Sequence, residues 1–192
     1  MDASDKGLCI LEPSLRQYIR VRFTPAEREA FVSDPSANSI NVHEFQSAIL
    51  AALHWGPIWA KAAGSQPVHV SFWIDNASAV SWTQRRSSQQ PLAQMYNRLL
   101  ALAEFNYSLV CTAKHISGVD NVMANAGSRA WSRDDNLFRT CRLDGHRYQS
   151  SLLTTISRNS GMVLRQHAVA STTFAKYYAY WHQWVQFSSF MR

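Results

Sequence analysis

Apolar and polar residues alternate most cleanly between Val68 and Ile74, where Val68, Val70, Phe72 and Ile74 are interleaved with His69, Ser71 and Trp73. A period of two predicts a strand. Asp75 ends it. Asn76 then offers an N-cap, and Ala77, Ala79, Val80 and Trp82 predict a short helix behind it. A second alternation, QYIRVRF from Gln17 to Phe23, sets Tyr18, Arg20 and Arg22 on one face and Ile19, Val21 and Phe23 on the other. Together with Leu8 and Ile10 ahead of a turn at Glu12 and Pro13, it predicts a hairpin. Thr24 to Ser39 carries Pro25 and Pro35 and reads as a connecting loop, with at most a turn of helix at Pro25–Phe31.

The period then lengthens. Val42, Phe45, Ile49, Ala52 and Leu53 form a stripe at helical spacing, with Asn41 as the N-cap and Gly56 and Pro57 as an interruption. Gly64 to Pro67 leads into the Val68–Ile74 strand. After a polar loop at Arg85–Gln90, Pro91 starts a second long helix with Met95, Leu99 and Leu102 on its buried face. Tyr107–Ala113 predicts another strand, ending at Lys114 and His115. Ile116–Asp120 follows as a loop, and Asn121–Ala130 has helical composition. The order of elements predicts a mixed α/β layer structure.

Composition narrows the class. A chain of 192 residues, 46% hydrophobic and 12% aromatic, predicts one domain plus an appendage with a sizeable core. No apolar run reaches the roughly 20 residues of a membrane helix, so no membrane partner is expected. The start, MDASDKGLC, shows no signal-peptide pattern. Cys9, Cys111 and Cys141 are odd in number and widely spaced, which speaks against disulfide or zinc scaffolds and for a reducing, intracellular setting, cytoplasm or nucleus. The net charge is +6, but residues 1–130 hold 11 Lys+Arg against 10 Asp+Glu, and residues 131–192 hold 8 against 3. The basic tail suits phosphate neutralisation, or equally a solvated flexible segment. GxGxxG, P-loop and GxSxG motifs are absent, which argues against nucleotide-cofactor enzymes and serine hydrolases.

Candidate chemistry centres on acidic residues. Asp75 sits where a strand hands over to a helix, the crevice where α/β sheets commonly bind ligands, although Asp and Asn also simply punctuate such turns. Glu44, three residues after Asn41, has two readings: the acidic member of a capping box, or a ligand.

Four fragments in order carry a resemblance: DAS-x-x-G at Asp2–Gly7, Glu44 within SINVHEF, Asp75 within DNASAV, and HISGVDNVMANAGSR, with His115 and Asn125. Over residues 1–130 the chain resembles the ribonuclease H domain of retroelement reverse transcriptases, most closely that of DIRS-type retrotransposons. A further stretch, Ser171–Arg192, places Phe174, Tyr177, Tyr178, Trp181, Trp184 and Val185 on one helical face. It resembles the opening helix of a tyrosine recombinase core-binding domain, though an aromatic helix packed on the main domain reads the same way.

The resemblance implies a ribonuclease H-like mixed five-stranded sheet flanked by helices over 1–130, a basic linker over 131–160 and a helical extension over 161–192. It implies an endonuclease that cleaves the RNA strand of RNA/DNA hybrids, with a parent polyprotein of reverse transcriptase and recombinase; oligomeric state stays open. Two Mg²⁺ ions, replaceable by Mn²⁺, would be the cofactors, because ions about 4 Å apart can serve both the attacking and the leaving oxygen of an in-line displacement. By resemblance Asp2 bridges both ions, Asp75 holds the one at the attacking water and Glu44 the one at the leaving group. His115 is implied near the leaving group on a mobile loop; Ser4, Asn41 and Asn76 are candidate substrate-binding residues, the two asparagines, next to the ligands, through contacts to 2′-hydroxyls. The family's fourth metal-binding carboxylate falls at position 125, where this chain has Asn125, so weaker metal affinity and turnover are expected. The chain also has a single residue ahead of Asp2, where the family has several strand residues. A weakened ribonuclease H fold serving as a nucleic-acid- or protein-binding, host-directed factor is the alternative, and a structural spacer between polymerase and recombinase a third.

Overall fold

Short strands and long helices share the chain in a computed structural model that describes residues 1–35, 39–131, 138 and 144–149. The order is β1 (Asp2–Ala3), β2 (Gly7–Glu12), β3 (Gln17–Arg22), α1 (Pro25–Ser33), α2 (Ile40–Ala63), β4 (Val68–Ile74), α3 (Ala77–Arg85), α4 (Pro91–Tyr107), β5 (Leu109–His115), α5 (Val122–Arg129) and β6 (Asp144–Gln149). These residues lie in one compact unit, Met1–Thr155. The mixed α/β class expected from patterning is what they form.

The five-stranded sheet is not. The described strands make a four-stranded sheet ordered β1-β2-β3-β6 and a two-stranded sheet of β4 and β5. The physical reason is the length of β1. Its two residues pair antiparallel with β2, Asp2 opposite Cys9 and Ala3 opposite Leu8. Toward β4, the Met1 nitrogen donates to the Trp73 carbonyl at 2.9 Å. One such bond is too little to knit two sheets into one. β4 is therefore an edge of a parallel pair rather than a central strand. β6 lies within the stretch expected as linker and pairs parallel with β3. The aromatic face of 171–192, read as a recombinase-like helix, lies outside the described residues.

The helices differ from the pattern reading in instructive ways. The Thr24–Ser39 loop is largely α1, nucleated by a complete capping box in which Thr24 and Glu27 satisfy each other's backbone N–H groups. α2 runs through Gly56 and Pro57 without breaking. Gly56 is needed where α2 meets the end of α4, since a Cβ there would come within 2.5 Å of the Tyr107 ring. The N-cap of α2 is Ser39, not Asn41, so Glu44 lies in the second turn and is no capping-box member. In α4 the buried face is Ala93, Asn97, Leu100 and Ala103, while Met95 is exposed. Tyr107 ends α4 rather than opening β5.

The core lies between the sheets and α2. Leu8, Ile10, Ile19 and Val21 of the hairpin, Phe45, Ile49 and Trp55 of α2, and Ile74 of β4 are all essentially removed from water. Burial of this kind contributes roughly 25 cal/mol per Å² of apolar surface. Polar clasps fix the periphery. Arg86 bonds the Glu104 carboxylate and donates to the Cys111 carbonyl at 2.7 Å, tying the end of α3 to α4 and β5. Arg20, expected on the polar face of its strand, is 3% exposed. Its Nε donates to the Gly127 carbonyl at 2.7 Å, a terminal nitrogen donates to Ala130, and the guanidinium stacks 4.1 Å from the Trp131 ring centroid. That anchors the C-terminal end of α5 on the hairpin.

Candidate metal centre

Three elements deliver one carboxylate each to a common point. β1 brings Asp2, held by its pairing to Cys9. α2 brings Glu44 from its second turn, buried because Val42, Phe45, Ala48 and Ile49 pin the helix face to the core. β4 brings Asp75 just past Ile74, where the strand stops and Asn76 caps α3 by accepting from the Ala79 N–H at 3.0 Å. One oxygen from each of Asp2, Glu44 and Asp75 lies within 4.8 Å of the others. Hard, ionisable oxygens at this spacing are a donor set that Mg²⁺ or Mn²⁺ takes.

The electrostatics are strained in a way a cation would relieve. Glu44 is 3% exposed. Its Oε1 accepts from the Ala3 N–H at 2.7 Å, and its Oε2 is buried with no partner. Burial, followed by the repulsion of Asp75 and Asp2, raises its pKa to about 8. Burial also raises Asp2 above the ordinary carboxylate range, against the pull of a Ser128 hydrogen bond and of Arg129. The Met1 ammonium lies close enough to feel all three carboxylates, and burial lowers its pKa.

The other expected residues divide. Asn125 is at the site's margin: its Nδ2 donates at 2.7 Å to the Gly118 carbonyl, in the loop where a Cβ on Gly118 would lie 3.8 Å from Asp75. Its Oδ1 is buried and without a partner. Asn41 and Asn76 bond each other at 2.7 Å, joining the starts of α2 and α3 beside Asp75. Ser4 is buried, and its hydroxyl donates to the Ser128 carbonyl at 2.9 Å, which occupies it within the fold. His115 is exposed and is the last residue of β5, opposite Ile74, rather than part of a loop.

Two residues at the site were not anticipated. Ser128 donates a short hydrogen bond to Asp2 Oδ2, and Arg129 Nη1 lies 3.2 Å from the same oxygen. Both also reach the Asn125 carbonyl, at 3.1 and 3.0 Å. The signal was available in the sequence, since Asn125, Ser128 and Arg129 are spaced to share one face of a helix. The arrangement can hold a divalent cation with Asp2, Glu44 and Asp75 once Glu44 gives up its proton and Asp2 shifts from Arg129.

Comparison with protein-family models, with curated proteins and with solved structures gives no match. The functional reading therefore rests on the residues themselves.

Proposed function

We propose that this chain is a metal-dependent nuclease that hydrolyses the RNA strand of RNA/DNA hybrids. The observation that carries the reading is the convergence of Asp2, Glu44 and Asp75, far apart in sequence, within 4.8 Å. Buried carboxylates crowded to this degree repel one another, and such a cluster is costly unless a cation compensates it. The orphaned, buried Oε2 of Glu44 fits the same need. The order of the DAS-x-x-G, Glu44, DNASAV and HISGVDN fragments selects a ribonuclease H-type reaction among the metal-dependent hydrolyses.

Bound divalent ions would supply charge neutralisation at the phosphate and lower the pKa of an attacking water. The chain's own contribution is placement. Half-buried Asp75 is the most accessible of the three carboxylates, while Asp2 and Glu44 are buried and Glu44 is fixed by the Ala3 N–H. Ser128 orients the Asp2 carboxylate, and the Asn41–Asn76 pair braces the two helix starts at the rim. Half-exposed Trp73, with Lys114 Nζ 5.5 Å from its ring centroid, adds a cationic and aromatic surface next to Asp75 of the kind that nucleic acids use.

A second reading, hybrid binding with little cleavage, is favoured by Asn125 in place of a carboxylate and by the Asp2–Arg129 ion pair. Cleavage of an end-labelled hybrid in Mg²⁺ and in Mn²⁺ separates the two. The nuclease reading expects 5′-phosphate products, with Asp75→Asn reducing the rate about a hundredfold or more. Equal cleavage by wild type and Asp75→Asn would remove the reading, and retained hybrid affinity without cleavage would select the second.

A further inference from the structure

Arg20 and Arg86 are spent on the fold. Arg20 is buried with Nε and a terminal nitrogen on carbonyl oxygens, and Arg86 grips the Glu104 carboxylate and the Cys111 carbonyl. Arg129, the last residue of α5, is held differently. Its Nη1 makes both of its bonds, to Asp2 Oδ2 at 3.2 Å and to the Asn125 carbonyl at 3.0 Å. Among the described residues, nothing bonds its Nε or Nη2. The ion pair is lopsided, since the Arg129 side chain is 53% exposed and that of Asp2 3%. Asp2 is fixed further by the Ser128 hydroxyl, so the arginine is the partner able to leave.

Two chemistries meet on this guanidinium. Toward the site it is a cation bonded to a carboxylate that a divalent ion would also use, so the two positive charges compete for Asp2. Toward solvent its unspent nitrogens form a planar donor fork, which matches a phosphate better than an ammonium does. Asn125 sharpens the competition. It lies one turn before Arg129 on α5, where a carboxylate would pair with Arg129 and draw it from Asp2. The amide cannot do this: its Nδ2 donates to the Gly118 carbonyl, and its Oδ1 offers no full charge. Arg129 is left to Asp2.

We propose that Arg129 couples nucleic-acid binding to cation binding: a backbone phosphate of the hybrid takes its guanidinium from Asp2 and leaves that carboxylate to the metal. The proposal rests on the nuclease reading, because it needs both a hybrid and a cation at Asp2. It adds an order of events to that reading. Alone, the cation meets a carboxylate that is already paired; the hybrid removes the competitor. The exchange is easy here, because ion pairs with an exposed partner are weak in water. Linkage makes the effect reciprocal, so a bound cation strengthens hybrid binding by the same factor. The site thus gains its ion on the substrate rather than in advance of it.

Two titrations of the full chain test this, each without the other ligand. Mn²⁺ is titrated by calorimetry with no nucleic acid, and dye-labelled hybrid by fluorescence anisotropy in chelator, where a metal-dependent site cannot turn over. Arg129→Gln should move the two affinities in opposite directions. Mn²⁺ should bind severalfold tighter, and hybrid severalfold weaker with a salt slope shallower by about one. Arg129→Lys, which keeps the charge, should keep the slope and bind Mn²⁺ close to wild type. Arg28→Gln removes a charge from α1 and should leave Mn²⁺ affinity unchanged. Circular dichroism of each variant, matching wild type, shows that the effects are local. Hybrid affinity and salt slope untouched by Arg129→Gln would overturn the proposal. An equal gain in Mn²⁺ affinity from Arg28→Gln would also overturn it, by assigning the effect to net charge. Mn²⁺ binding that Arg129→Gln leaves unchanged or weakens would defeat the coupling alone, whereas failure of wild type and variant alike to bind Mn²⁺ would defeat the nuclease reading beneath it.

Discussion

Glu44 is the most informative single residue. Its pKa of about 8, set first by burial, means that the folded protein without metal keeps a proton that the unfolded chain has released near 4.5. The folded state binds more protons across that interval, so stability falls as pH rises from about 5 to 8. The whole effect is on the order of a few kcal/mol. Thermal melts in chelator should show this decline, Glu44→Gln should flatten it, and saturating Mg²⁺ should offset it in wild type, because a ligand of the folded state stabilises by mass action. Asn125 gives the reverse experiment. With its Oδ1 buried and unpartnered, Asn125→Asp should raise Mg²⁺ affinity and hybrid cleavage severalfold or more, read by metal titration and initial rates. Asp2, Glu44 and Asp75 were legible from the sequence through their motifs. Arg129 and Ser128 carried only the weak signal of sharing a helix face with Asn125, since a basic and a small polar residue at a helix end have many uses, and only folding shows them meeting Asp2.

Among the elements, α5 shows how close packing positions the site's rim. A Cβ on Gly127 would lie 2.3 Å from Cys9 Sγ, so α5 sits against β2 at a distance only glycine allows. Gly127→Ala should cost about 1–3 kcal/mol in denaturant unfolding by overpacking. Arg20→Ala should cost about 2–4 kcal/mol, because it strands the Gly127 and Ala130 carbonyls and empties the stack against Trp131. The alternation of QYIRVRF identified β3 correctly, yet it put Arg20 on the polar face. A long side chain that finishes its hydrogen bonds on backbone carbonyls can be buried where its charge alone would keep it outside. The same logic explains α1 and the unbroken α2. The capping box of Thr24 and Glu27 starts α1 with Pro25 at the first helical position, where proline is tolerated, and Pro35 lies beyond its end; in α2, tertiary contact with Tyr107 outweighed Gly56 and Pro57.

At the scale of the molecule, the described residues form two sheets that meet at a two-residue strand, with the carboxylates gathered there. The fold class was legible because element order and period survive folding. The division of the sheet was not, because it depends on how many residues β1 can offer to β4. Charge distribution bears on the substrate. Residues 156–192 carry four Lys+Arg and no Asp or Glu, and lie outside the unit that ends at Thr155. A chain ending at Thr155 should bind hybrid more weakly and with a shallower salt dependence, measured by filter binding across ionic strengths. The central claim is that Asp2, Glu44 and Asp75 together seat a divalent cation. Calorimetric titration of the full chain with Mn²⁺ at pH 7, repeated in buffers of different ionisation enthalpy, tests it directly. Saturable binding that releases close to one proton, from Glu44, and that Asp75→Asn abolishes is the expected result. Absence of saturable binding, or binding indifferent to Asp75→Asn, would contradict it.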